Sequence, residues 1–390
     1  MWGLVFSLIG CLYVLVEERL NVPILLCQMF GIFFLTSALF ASCVMWNSLR
    51  RLHEKVLSAG IPLFLKDNRL HIAFVLLFAF TIYSLVGDLS SKIGFLLWLI
   101  GFGISFDLFS FFFTRIKHYS DPLFVLEKLP SQVMHSLQKK EEKAALDWMN
   151  FVFETIDKAI ETHKFTLANR ALDTSRLCFE EYVRQLARIE LLTIEPSFLD
   201  KVNLVSIMVC EKLQWLYTRA RKKEMTPTVQ AISLSFGKLC LFLSKHHTKA
   251  AALPLQYLVK CAEVGDEEEL IQATLTLGQA CKSLLNLSLE KRESFKELII
   301  SSLFNMEKMV KQIYTRNKES NVALLIQPFA EVAESLGSEG LQEVLNRAEI
   351  LAELKRIFTQ FESLQMVSSG ISEIVSQDTS SSFAQDVIKS

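Results

Sequence analysis

No GxSxG elbow, P-loop, HExxH pair or Gly-rich dinucleotide turn occurs in this sequence. The local patterns that build an activated serine, a phosphate cradle, a catalytic zinc or a nicotinamide site are therefore absent. Histidine is scarce, with seven in 390 residues. Only His246 and His247 are neighbours, and adjacent helix positions point in different directions, so they form no two-ligand metal face. Of the eight cysteines no two are spaced as a CxxC pair. Cys11, Cys27 and Cys43 fall in apolar runs and Cys178, Cys210, Cys240, Cys261 and Cys281 in helical stretches, where an isolated thiol acts as a small hydrophobe. The pattern suits a domain held in a reducing compartment. An excess of charge is missing too: 41 basic and 42 acidic residues leave a net charge of −1, which gives nucleic acid no electrostatic footprint. No cofactor and no metal is expected. An enzyme is disfavoured but not excluded, because catalytic groups can converge from separate helices.

What is present is distributed unevenly. Up to Thr114 there are seven basic and six acidic residues, nearly all between apolar runs; the other 34 and 36 follow Thr114. The expected fold is all-α: an N-terminal bundle of about four transmembrane helices within residues 1–114, a connector over 115–130, a soluble helical domain over 131–367 and a serine-rich, disordered tail over 368–390. The soluble part is long enough to bury a core of its own.

The spans are read at 2–16, 24–46, 70–86 and 93–113, against the roughly 20 residues that cross about 30 Å of hydrocarbon. The first is short, is stopped by Glu17-Glu18-Arg19, and lacks a basic leader and a small-residue cleavage site, so it is read as retained. Asn21 and Pro23 stand where the second helix would begin. Arg50, Arg51, Lys55, Lys66 and Arg69 lie between the second and third spans and Arg115 and Lys117 after the fourth, whereas the opposite loops offer Arg19 and Lys92. That asymmetry predicts a multi-pass protein with both termini cytoplasmic.

Asp107 is the one acid well inside an apolar run. A carboxylate there must face other helices and be neutral or paired. Helical spacing places Gly103 and Ser110 on its face, and Ser37, Ser42 and Thr81 on other spans are candidate hydrogen-bond partners. A packing contact is favoured over a proton or cation site, because no second buried charge accompanies it. Gly101 and Ser105 form a small-xxx-small pair that marks close helix packing.

After Asp121 the apolar period becomes that of amphipathic helices. Phe165, Ala168, Leu172, Ser175, Phe179, Tyr182, Leu186 and Ile189 form one buried face; Ala145, Met149, Val152, Ile156 and Ala159 form another, with Trp148, Phe151 and Thr155 alongside. Breaks at 195–197, 226–228, 265–266 and 337–340 divide the domain into nine expected helices: 131–162, 164–192, 197–223, 227–246, 248–264, 266–286, 289–316, 319–336 and 339–366. Short turns between long helices mean stacked antiparallel hairpins, solenoid-like or in a compact bundle. Leu277-Gly278 followed by Ala280 matches a fragment of the tetratricopeptide pattern without a second copy, and no family is assigned on it.

Two charged clusters have ordinary explanations. Arg219, Arg221, Lys222 and Lys223 close a helix and Asp266 to Glu269 open one, as the helix dipole favours; the basic cluster is also a candidate patch for anionic lipid or a partner. Asn286-Leu287-Ser288 is a chance sequon on the wrong side of the expected topology. The function expected is a membrane-anchored scaffold or adaptor whose cytoplasmic helical array binds a protein partner or a second copy of itself. The alternatives are a transport or channel subunit using Asp107 and a membrane-bound enzyme acting on lipid or a membrane-linked substrate. The partners expected are the lipid bilayer and a protein partner or a second copy bound through the helical domain; nucleic acid is not expected.

Overall fold

The computed structural model describes residues 24–55, 67–87, 91–119, 121–190, 198–246, 250–287, 289–317, 322–337 and 347–363, and before them Gly3, Val5, Ser7, Ile9, Gly10 and Cys11. Most of the first expected span, residues 12–23 and 56–66, and the serine-rich tail lie outside the described residues. Among the described residues every element is helical: α1 (Ile24–Lys55), α2 (Asn68–Val86), α3 (Lys92–Tyr119), α4 (Pro122–Gln138), α5 (Glu142–Glu161), α6 (Phe165–Glu190), α7 (Phe198–Lys222), α8 (Thr226–His246), α9 (Ala252–Glu263), α10 (Glu267–Leu285), α11 (Leu289–Arg316), α12 (Val322–Gly337) and α13 (Arg347–Ser363). The chain divides into two compact units, Met1–Leu129 with Asn150–Lys158, and Pro130–Met149 with Ala159–Ser390.

In the first unit α1, α2 and α3 pack on one another. Asp67 caps α2, accepting the Arg69 N–H at 3.1 Å, and its other oxygen takes the Tyr119 hydroxyl at 2.8 Å, which ties the end of α3 to the start of α2. Small residues set the approach distances. A Cβ on Gly31 would stand 2.5 Å from Ser84 Cβ, and one on Gly101 would stand 2.8 Å from the Phe80 ring. Hydroxyls are spent inside the bundle: Thr81 donates to the Gly31 carbonyl, Tyr83 to that of Gly94, and the Trp98 indole N–H to Ser84 Oγ at 3.0 Å. Around them Phe34, Phe80, Trp98, Phe102 and Phe109 form an aromatic cluster with edge-on and stacked pairs 5.3–6.2 Å apart.

Large hydrophobic side chains stand on the outside of this unit. Phe40, Ile72, Val75, Val86 and Ile93 are between 59% and 82% exposed. Among the described residues two helices are long and apolar enough to cross a membrane, α2 and α3; α1 contributes a shorter apolar stretch, Cys27–Ser37.

The second unit, from α6 onward, is a two-layered array. α6, α8, α10 and α12 each pack beside the next in one layer, and α7, α9, α11 and α13 do so in the other, with sequential helices paired across the layers. This alternation is the signature of stacked helical hairpins, in which each hairpin touches its sequence neighbours. Within the first layer the helices run parallel. Asp173 pairs with Lys238 and Phe179 with Phe242; Gln230 meets Glu268 and Gly237 meets Thr276; Gly278 meets Pro328 and Lys282 meets Glu331. The numbers rise together along each pair.

The sequence pattern marked the buried faces well. Ala168, Leu172, Ser175, Phe179, Tyr182 and Leu186 are at most 5% exposed, as are Ala145, Met149, Val152, Ile156 and Ala159, while Trp148 and Thr155 are buried too. The exceptions are Phe151, half-buried, and Phe165, 43% exposed at the start of α6. The single helix expected over 131–162 is two, α4 and α5. The break is a left-handed Lys140 (φ 62°), with Glu141 N–H returning to the Ser136 carbonyl and Lys140 N–H to that of Leu137. This is a Schellman stop, and His163 and Glu224 end α5 and α7 in the same way. None of the three is glycine, so the usual punctuation was missing from the sequence.

Candidate functional site

The structure brings Asp107 and Gly103 together with the N-terminal segment. Asp107 Oδ1 accepts the Gly3 N–H at 3.0 Å, Ser7 Oγ donates to the Leu99 carbonyl, and Cys11 Sγ lies 4.0 Å from the Leu96 carbonyl. The contacts descend α3 as they ascend the segment, so the two run antiparallel. Approach is close: a Cβ on Gly103 would stand 2.5 Å from the Gly3 carbonyl oxygen and from Ser7 Cβ. Ser110 is exposed, and its carbonyl takes the Thr114 hydroxyl; it does not join Asp107. Thr81 bonds to Gly31 and not to Asp107, and the Ser42 side chain lies outside the described residues. The sequence reading missed Gly3 and Ser7. Their signal was legible, since Gly3, Ser7 and Cys11 are a small-residue stripe at four-residue spacing.

The side chains of the basic cluster diverge. Arg219 pairs with Glu161 and lies over the Trp215 ring, 4.9 Å from its centroid, while Arg221 Nε is 3.5 Å from Glu269 Oε2. Lys222 and Lys223 are exposed. The acidic run has a structural use: Asp266 caps α10, accepting the Glu269 N–H at 2.9 Å. Glu269 is 8% exposed. Burial pushes its pKa up, with Asp266 adding to this, against the opposing pull of Arg221 and of the Tyr217 hydroxyl. Arg316 Nη1 completes the corner, donating to the Gly265 carbonyl at 3.0 Å.

The cysteines of the second unit are all buried, and burial pushes the thiols of Cys261 and Cys281 up to about 12. They are poor nucleophiles at neutral pH. Among the described residues no group of three His, Cys, Asp or Glu is placed to hold a metal ion.

A further candidate surface is the outer face of the layer formed by α6, α8, α10 and α12. Leu177 and Leu234 stand exposed on it, Leu241, Ile271 and Leu275 are half-buried, and the pairs Asp173–Lys238, Gln230–Glu268 and Lys282–Glu331 bridge its helices. An apolar strip flanked by paired charges, on parallel helices in fixed register, is a surface chemically suited to an amphipathic segment of another protein.

No protein-family model matches this sequence, and no curated protein does. A solved structure described as a circular tandem repeat protein with novel repeat topology and enhanced subunit contact surfaces aligns over 94% of this chain and 96% of its own, with 12% identity and a TM-score of 0.39. The description of the array therefore stands on its own helix contacts.

Proposed function

We propose that this protein is a scaffold anchored in a membrane by its first unit, and that the layered array of its second unit presents a binding face to another protein. The observation that carries the reading is the layer of α6, α8, α10 and α12, which offers a continuous, mixed apolar and charged outer face. Repeat-like arrays typically use such surfaces for binding. The anchoring part is supported by the first unit's inverted surface: the hydroxyls of Thr81 and Ser84 and the Trp98 indole are engaged inside, while aliphatic side chains and phenylalanines such as Phe33, Phe40 and Phe78 face out. An apolar exterior of that extent is unfavourable in water and matched to hydrocarbon. Asp107 is engaged by a backbone N–H, which favours a packing role for it over a transport site. The proposed topology keeps both termini on the cytoplasmic side.

A photo-crosslinking amino acid at Leu177 or Leu234, in cells, tests the scaffold; alkaline carbonate washing of the membranes tests the anchor. The expected result is discrete protein adducts at both positions and a chain released by detergent alone. Release by carbonate would remove the anchor, and crosslinkers that capture no protein would remove the scaffold.

A further inference from the structure

The outer face of α7 differs from the face just described. Leu204 is 70% exposed, Ile207 39% and Trp215 46%. With half-buried Met208 they lie within one arc of the helix, interrupted between Met208 and Trp215 by exposed Glu211. Along the flank of this arc and past its end stand Lys212, Lys222 and Lys223, all exposed, and Arg219, which covers the Trp215 ring. The acids on the arc are Asp200 and Glu211; Lys201 and Arg219 meet their own acids, Glu142 and Glu161. The exposed lysines are thus left as a basic margin beside the apolar strip, whereas the charges on the opposite layer bridge one another.

Exposed leucine, isoleucine and tryptophan in line, with lysines at the margin, is the chemistry of a helix that lies in a membrane interface. The apolar side chains enter the headgroup boundary, the indole prefers that depth, and the lysines meet anionic headgroups. We infer that the outer face of α7 docks on the surface of an anionic bilayer. This rests on the anchored reading: a tether keeps the second unit at high effective concentration near lipid, so a weak surface contact suffices.

The test uses the full chain in nanodiscs, with an environment-sensitive fluorescent amino acid placed in turn at Leu204 and, as a control for the anchor, at exposed Val75 on α2. The quencher is a doxyl-labelled lipid. In phosphatidylserine-containing discs both probes should be quenched. In phosphatidylcholine discs Val75 should remain quenched while Leu204 is largely released. Each basic residue near an anionic leaflet multiplies the bound population by roughly fivefold, so K222E/K223E should lower it by more than about tenfold. Added salt should weaken the Leu204 signal and leave that of Val75 unchanged. A quenched Val75 with an unquenched Leu204 in anionic discs overturns this inference and leaves the anchor standing. An unquenched Val75 overturns the anchor itself. A Leu204 probe shielded equally in neutral discs, in particles holding two chains, assigns the face to a second copy and also overturns the inference.

Discussion

Gly278 sits in the interior of α10, where an alanine would ordinarily stabilise the helix by about 1 kcal/mol through backbone entropy. Here the added methyl meets α12. Its Cβ would stand 2.6 Å from Pro328 Cβ, 3.3 Å from Pro328 Cα and 3.5 Å from Met306 Cε. The methionine tip can swing away, but the proline atoms belong to a ring fixed to the α12 backbone, so the two helices must separate. Overpacking of this kind costs about 1–3 kcal/mol, and forced separation of a whole helix pair lies towards the upper end. The net expectation for Gly278→Ala is a destabilisation of about 1–2 kcal/mol. Gly237→Ala supplies the comparison: its Cβ would meet Thr276 Cγ2 at 2.8 Å, a methyl on a stiff, buried side chain but not on backbone or a ring, so its loss should be smaller than that of Gly278→Ala. Urea unfolding of the full chain in mild detergent measures both. Hydrogen exchange should show the Gly278→Ala loss concentrated in α12 and α13, since neighbours in a stacked array share their interface energy. A Gly278→Ala protein more stable than the parent would refute the claim that the α10–α12 approach is limited by backbone contact.

Glu307 on α11 is 4% exposed at its side chain and accepts from Lys311 and from Arg356 on α13. Burial alone would raise its pKa, but these hydrogen bonds and charges hold it below the ordinary 4.5. A lowered carboxylate pKa stabilises the fold above 4.5, and that contribution is lost as pH falls through the folded value. Glu307→Gln should therefore lower stability at neutral pH by about 1–2 kcal/mol, discounted because both partners are partly solvated, and the difference should fade in acid; a gap that widens in acid would contradict the sign. For Asp107, the asparagine variant keeps an acceptor for the Gly3 N–H and should fold and bind as the parent does, whereas Asp107→Leu should weaken helix association by about 1 kcal/mol. Thermal stability in detergent separates the two, and a well-folded asparagine variant that has lost a pH-dependent flux in vesicles would revive the transport reading.

The sequence by itself determined the class of every element and most of the buried faces. Period-3.6 patterning states which side of a helix must leave water, and this held for thirteen of the sixteen positions marked on α5 and α6; Phe165 is exposed, Phe151 is half-buried, and the Ile189 side chain lies outside the described residues. It also marked Asp107 as a group needing a partner, because hydrocarbon-like surroundings leave a carboxylate no other choice. Tertiary structure decided the rest. That the Asp107 partner is a backbone N–H at Gly3, that the helices after α5 alternate between two layers, and that Arg219 and Arg221 turn to different acids while Lys222 and Lys223 stay in solvent are all facts of register. Register depends on which small residue lets which backbone approach, as at Gly103, Gly237 and Gly278, and on left-handed stops at Lys140, His163 and Glu224 that no glycine announces. Local periodicity carries one helix's preference for burial; it carries no information about the neighbour against which that face is buried.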